Sequence, residues 1–289
     1  MRKTSVFDVV NNVIFILIAV ISVFPIYLIV ANAFSTEADI LEFGYAVFPL
    51  HFTLDAFKYV LKDPSQLLHS TWATVVHACG ATLISVVIQC MLGYTLTRKE
   101  FAFKKLCTVL LLITMFFNAG LIPSYILRTQ IYHLENNWLV YLVPTVSGFS
   151  VFVYRSFFNQ IPQSLIESAE LDGATHLQVL CKISIPLSMT FVATQFFMGM
   201  TALWKDYTTT MYYIQDAKMY TLEYYIQLIS KDAATMKANL LMMGMSASEI
   251  PTETMKFATV LFTLIPMLII FPLFQKYLSK GLMVGAVKG

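Results

Sequence analysis

Between Val13 and Ala33 the chain runs for about 20 residues without one charged side chain. As a helix, a segment of that length crosses roughly 30 Å of hydrocarbon, where the backbone has no water to satisfy its N–H and C=O groups. Five further apolar runs predict the same geometry, at about 71–96, 106–127, 138–158, 187–207 and 257–274. Only 12% of the residues are charged, where an ordinary soluble domain has about 25%. Too few charges remain to cover a water-facing surface, so the chain reads as an all-α integral membrane protein with six transmembrane helices. A rival for the first run is a cleaved signal peptide, since Arg2 and Lys3 precede it and Ala31-Asn32-Ala33 fits an A-x-A site. The run is too long for a signal core and five more follow, so it is read as a retained helix.

The polar segments give the orientation. Residues 35–70 are a mixed loop with Glu37, Asp39, Glu42, Asp55 and Asp63, and a basic turn from Arg98-Lys99 to Lys104-Lys105 follows the second run. Asn118-Ala119-Gly120 and Pro123 should loosen the end of the third run, and Pro144 and Gly148 sit inside the fourth. With both termini inside, the inner segments hold 11 Lys and Arg and the longer outer segments hold 8. The positive-inside rule therefore places the N and C termini, and the segment 159–186, in the cytoplasm. The stretch of roughly 214–255 is expected to be polar, with short helices, and the residues after 274 form a short tail.

Little in the chain points to chemistry. Cys79, Cys90, Cys107 and Cys181 have no C-x-x-C spacing, so neither a disulfide framework nor a metal site is indicated. No phosphate-binding G-x-x-x-x-G-K-[ST], H-E-x-x-H or G-x-S-x-G occurs. His51, His69, His77, His133 and His176 are scattered and read as loop or helix-end residues. The runs hold almost no Asp, Glu or His apart from His77, which argues against an ion-coupled secondary transporter, and no polar constellation suggests a membrane-embedded enzyme.

The most informative polar segment runs from Glu167-Ser168-Ala169-Glu170-Leu171-Asp172-Gly173-Ala174 to Ile183-Ser184-Ile185-Pro186. Ile161-Pro162 suits a helix start, and Gly173 suits a tight break between two short helices. Leu165, Ile166, Ala169, Leu177 and Leu180 would line one side, leaving Glu167, Glu170 and Asp172 toward water or a partner. The spacing Glu-x-Ala-x-x-x-Gly, nine residues, Ile-x-x-Pro resembles the EAA loop of permease subunits of binding-protein-dependent ABC importers, with Ser168 and Ile185 replacing an Ala and a Leu of that pattern. The resemblance covers nearly the whole chain and is nearest to the maltose-permease type. Asn118-Ala119-Gly120-Leu121-Ile122-Pro123 and the ending Gln275-Lys276-Tyr277 through Gly285-Ala286-Val287-Lys288-Gly289 are similar to importers of complex oligosaccharides, including aldouronates.

The resemblance implies the type I ABC importer permease fold and a multi-pass protein of the bacterial cytoplasmic membrane. Residues 1–70 would be an N-terminal helix with its outer loop, 71–276 the permease core, and 277–289 a cytoplasmic tail reaching toward the ATPases. It implies that Glu167, Ser168, Ala169, Asp172, Gly173, Ile183 and Pro186 couple the membrane helices to an ATPase, with Pro186 fixing the entry to the fifth span. ATP and Mg would be bound by two cytoplasmic ATPase subunits and no cofactor by this chain. A second, different permease and an extracytoplasmic solute-binding protein, met by the outer loop Tyr212–Glu253, would complete the assembly. No nucleic acid is expected. The implied activity is import of an oligosaccharide by alternating access; a non-sugar solute is the alternative. A sugar path needs hydroxyl, amide and aromatic groups, for which Asn118, Ser147, Tyr154, Gln195, Trp204, Lys205 and Tyr207 are candidates. Permeases of this type often have Asn where Lys205 stands. That amine would meet an anionic sugar, pair with Asp206, or reach to the membrane interface.

Overall fold

The computed structural model describes residues 6–117, 119–243 and 250–286. Among them regular structure is helical, apart from one isolated bridge between Ser35 and Phe52. In chain order the helices are α1 (Val6–Ala33), α2 (Glu37–Phe43), α3 (Asp55–Val60), α4 (Pro64–Thr95), α5 (Lys104–Phe116), α6 (Leu121–Ile131), α7 (Gly148–Phe158), α8 (Gln163–Leu171), α9 (His176–Leu187), α10 (Met189–Trp204), α11 (Thr208–Tyr213), α12 (Leu222–Met242) and α13 (Glu253–Ala286). They form two compact units: the N-terminal part to Leu67 with Tyr225–Pro266, and Leu68–Tyr224 with the part from Met267.

Among the described residues three helices are long and apolar enough to cross a membrane: Val9–Ala33, Pro64–Thr95 and Glu253–Leu278. There are five if the bent pairs α5/α6 and α9/α10 each count as one crossing. The fourth apolar run, 138–158, is not the single helix its composition predicts. It is a 3-10 turn (Trp138–Leu142), an extended stretch and then α7. Pro144 has no N–H to give a helix and pushes the preceding residue out of helical geometry, and Val143 stands at φ −62°, ψ 116°. Two other expectations are corrected. The segment after Tyr220 forms the 21-residue α12, not short helices, because Leu222–Met242 contains no Gly or Pro. The residues expected as a short tail after Phe274 continue α13 to Ala286, no proline following Pro272.

In the first unit, α1 carries apolar side chains on all sides, and those from Phe7 to Phe24 lie exposed, as in a helix that lipid or a partner must cover. Its last turn is different. Ala33 packs on Ala56, Ala258 and Leu261, and the Asn32 amide bonds Ala46 through both its oxygen and its nitrogen, each at 3.1 Å. The Ala31-Asn32-Ala33 stretch is therefore helical and packed.

The polar anchor of this unit is Glu37. Its buried carboxylate accepts from Lys237 Nζ (2.7 Å), Thr252 Oγ1 (2.6 Å) and the backbone N–H groups of Glu253 (2.9 Å) and Thr254 (3.1 Å). Those amides open α13, where a carboxylate is favoured by unpaired N–H groups and the helix dipole. Burial pushes the carboxyl upward, but the lysine, the threonine and the two amides outweigh it and hold it at about 2, below the ordinary 4.5. Because the folded value lies below the unfolded one, the stability this contributes is fully present above about pH 4.5 and is lost as pH falls toward 2. Glu37→Gln should cost roughly 3 kcal/mol at neutral pH, since it leaves Lys237 half-buried without its counter-charge. Thermal melts of the detergent-solubilised protein across acid pH would check this. The loss should shrink toward pH 2, and a pH-independent difference would count against the clamp.

The second unit is organised on α4, which passes through a π-helical turn at Val76–Ala81 without stopping. α7 and α10 pack along it, and α5 packs on α7. Gly93 permits the α4–α7 contact: a Cβ there would lie 2.6 Å from Tyr154 Cβ and 3.1 Å from the Arg155 nitrogen. The backbone freed at the broken run is satisfied from α4. Thr145 N donates to Ser85 Oγ (2.9 Å), and Gln89 Nε2 donates to Thr145 O (3.0 Å).

Candidate functional site

The segment 163–187 is a helix–turn–helix whose turn follows from its sequence. α8 ends in a paired-bond cap. Ala174 N–H donates to Ala169 O (2.9 Å) and Gly173 N–H to Glu170 O (3.0 Å), with Gly173 at φ +82°. A Cβ on Gly173 would meet nothing within 4 Å, so the requirement for glycine comes from the backbone angle alone. Two residues later Thr175 caps α9 in a reciprocal pair with Gln178: Gln178 N–H donates to Thr175 Oγ1 (3.3 Å) and Thr175 N–H to Gln178 Oε1 (2.8 Å). The Thr-x-x-Gln spacing that encodes this cap is legible in the sequence.

Below the turn, Ile166, Val179 and Leu180 sit in an aromatic core with Tyr94, Tyr154, Phe158 and Phe191, and Ala169, Ala174 and Ile183 pack against it. Glu167, Ser168 and Asp172 point outward, and Ser168 Oγ returns a bond to Ser164 O (2.9 Å). Leu165 and Leu177 also lie exposed and do not line the inner side, while Leu171 is 89% exposed. Glu170 does not face water either. It is half-buried, paired with Arg98 Nη1 at 3.2 Å and with His176 Nδ1 at 3.5 Å. Arg98, just beyond the end of α4, also stacks on the Tyr94 ring (4.5 Å) and bonds its hydroxyl. Pro186 lies two residues before Ser188, where the chain turns by 84° from α9 into α10. The arrangement is a small rigid knob on an aromatic floor, tied to α4 by one ion pair and presenting carboxylates and leucines outward.

A second polar group stands around the N-terminal part of α4. His77, on the π-helical turn, bonds Tyr141 O through Nδ1 (2.9 Å) and Asp206 Oδ2 through Nε2 (3.0 Å). Asp206 Oδ1 also accepts the N–H groups of Thr208 (2.9 Å) and Thr209 (3.3 Å), the first two residues of α11. A cavity of about 430 Å³ opens beside them, lined among others by His77, Arg128, Thr145, Asp206, Thr208 and Thr209. Sequence reasoning missed this group because His77 and Asp206 are 129 positions apart and nothing local pairs them.

The candidates for the sugar path do not converge. Asn118 lies outside the described residues. Tyr154 is fully buried in the aromatic core under the turn, which leaves it no surface for a solute. Trp204 is buried, Gln195 half-buried on α10, and Ser147 and Tyr207 are exposed. Lys205 is exposed and caps α10; it does not pair with Asp206, whose oxygens are taken by His77, Thr208 and Thr209.

A family model described as binding-protein-dependent transport system inner membrane component matches residues 4–284. The polygalacturonan/rhamnogalacturonan transport system permease protein YtcP of Bacillus subtilis is 29% identical over 290 residues, with 99% of this chain and 100% of that protein covered. Protein LplC of the same organism is 28% identical, with 100% and 97% covered. Among solved structures, a bacterial ABC transporter involved in the import of the acidic polysaccharide alginate matches with a TM-score of 0.77 and 25% identity, covering 96% of this chain and 98% of that one.

The turn itself is open to a direct test. Gly173→Val should destabilise it by roughly 1–2 kcal/mol, the cost of holding an L side chain in the left-handed region, whereas Gly173→Asn should cost much less. Hydrogen exchange would read this at the amides of Gly173 and Ala174. Equal protection in both variants would mean that the positive φ is not needed.

Proposed function

This chain belongs to the binding-protein-dependent transport system inner membrane components, non-catalytic membrane subunits with the type I ABC permease fold, and on that premise we propose that it moves an oligosaccharide across the membrane by alternating access, driven by ATPases on other chains. The observation that carries the reading is the knob at 163–187. Its outward Glu167, Leu171, Asp172 and Leu177 offer charge and apolar surface to a partner, while the Glu170–Arg98 pair ties it to α4. In this mechanism ATP and Mg are held between two cytoplasmic ATPase subunits. Their closure pushes the knob, which acts as the coupling helix, and the membrane helices tilt as packed bodies.

The reading extends to topology and partners. The bias of Lys and Arg supports six crossings with both termini cytoplasmic, the fourth made by the broken run 138–158. Irregular backbone at membrane depth is tolerated where protein satisfies it, which Ser85 and Gln89 do. A second, different permease completes the pathway and covers part of the apolar surface left exposed, and a solute-binding protein delivers the sugar at the outer face. The choice of an oligosaccharide rests on the relatives, whose names specify polygalacturonan or rhamnogalacturonan and alginate as cargo.

Copurification is the test. The tagged chain, extracted gently, should bring down an ATPase and a second permease, and the complex should hydrolyse ATP faster when loaded binding protein and an oligosaccharide are added. Gly173→Val should lose the ATPase or abolish the stimulation. A chain that purifies alone and moves solute down an ion gradient would sink the proposal. Stimulation by a non-sugar solute alone would leave the importer standing and remove the oligosaccharide.

A further inference from the structure

The cavity beside α4 contains a cation that no carboxylate among the described residues pairs with. Arg128, in the last turn of α6, is half-buried and lines it. Its guanidinium lies over the ring of Tyr213 at 5.2 Å, and Tyr213 is buried and stacked on Tyr125 at 5.7 Å. Aromatic stacking of this kind fixes the plane of a guanidinium while leaving its N–H edge free to bond. Among the described residues no carboxylate pairs with Arg128. The carboxylate that shares the cavity, Asp206, is committed to His77 and to the amides of Thr208 and Thr209. Leaving a partly desolvated charge unpaired is costly, and an oriented fork of donors matches one ligand chemistry best, a planar carboxylate or other oxyanion bound through two parallel bonds.

From this geometry we infer that the cavity is a binding site for the carboxylate of a uronic-acid residue, and that Arg128 selects acidic over neutral oligosaccharides. The inference rests on the sugar-importer reading above and names the charge of its cargo. The rest of the lining fits a sugar unit: Thr145 offers a hydroxyl group, Thr208 a hydroxyl oxygen that can accept while its proton is given to Asp206, and about 430 Å³ is within the range of small-ligand sites. Lys205 lies outside this lining and is not the selecting cation.

The test uses the complete importer, with its second permease, ATPases and binding protein, in proteoliposomes. Uptake of a short oligogalacturonate is compared with uptake of its methyl ester, which keeps the sugar and removes the charge. In the wild type the acid should be taken up in preference to the ester. Arg128→Gln should lower uptake of the acid by about tenfold, the effect of losing one charge-assisted contact, while moving the ester less than about twofold. Arg128→Lys should recover part of the preference, which also excludes a folding defect as the cause. Equal losses for acid and ester in both variants, or no loss in either, would overturn the inference. So would a loss of preference in Lys205→Gln with Arg128→Gln unaffected. A wild-type importer that moves neutral oligosaccharides alone would end the Arg128 assignment and leave the importer reading intact. One that moves no oligosaccharide would end both.

Discussion

A chain that leaves helical geometry inside hydrocarbon must find hydrogen-bond partners within the protein, and in the second unit those partners come from one face of α4. Thr74 Oγ1 accepts the Leu222 N–H at 2.7 Å, His77 bonds Tyr141 O, Ser85 and Gln89 hold Thr145, and beyond the helix end Arg98 holds Glu170. The spacing of these residues follows the helical repeat, adjusted by the π-helical turn that carries His77. Each contact supports a place where the neighbouring chain begins, ends or departs from an α-helix. Without this seam the proline-broken run at 143–147 would leave buried amides without partners, at up to several kcal/mol for each unsatisfied group.

What the sequence made legible followed from local chemistry. The end of the first apolar helix at Ala33, the Gly173 break and the start of α8 after Pro162 each depend on a few adjacent residues, and each is where the residues predict. The broken fourth run shows the limit. Pro144 and Gly148 are residues that a membrane helix tolerates when neighbours satisfy the freed groups, and whether the helix survives them depends on where those neighbours lie. Ser85 and Gln89 lie about 60 residues upstream and carry no local sign of that task. Glu37 is a stronger case. In sequence it is one of five acids in a polar loop, and its partners Lys237, Thr252 and Thr254 are more than 200 positions away or close to it. Glu170 looked like one more solvated carboxylate of the turn until Arg98 was placed beside it.

The same separation in sequence hid the cavity. His77, Arg128 and Asp206 come from three different helices or their ends, and only the packing of α10 on α4 brings the first and last together. An aromatic and amide inventory of the apolar runs selected side chains by type. The fold sorts that inventory by burial, placing Tyr154 under the Gly173 turn and leaving Lys205 outside the cavity lining.

α4 also bears on how motion at one end would reach the other. His77 and Arg98 lie 21 positions apart on one continuous helix and its immediate end, about 30 Å at 1.5 Å per residue. The helix is stiffened along that length by α7, approaching closely at Gly93, and by α10. In the proposed mechanism a push on the knob would enter this rod through the Glu170–Arg98 pair and through the aromatic floor of Tyr94, Tyr154 and Phe158. Interdigitated cores shift between packings more readily than they deform. In the proposed mechanism the rod therefore carries the displacement as a rigid body to the π-helical turn, the one segment of α4 with altered helical geometry, where His77 holds the Asp206 wall of the cavity.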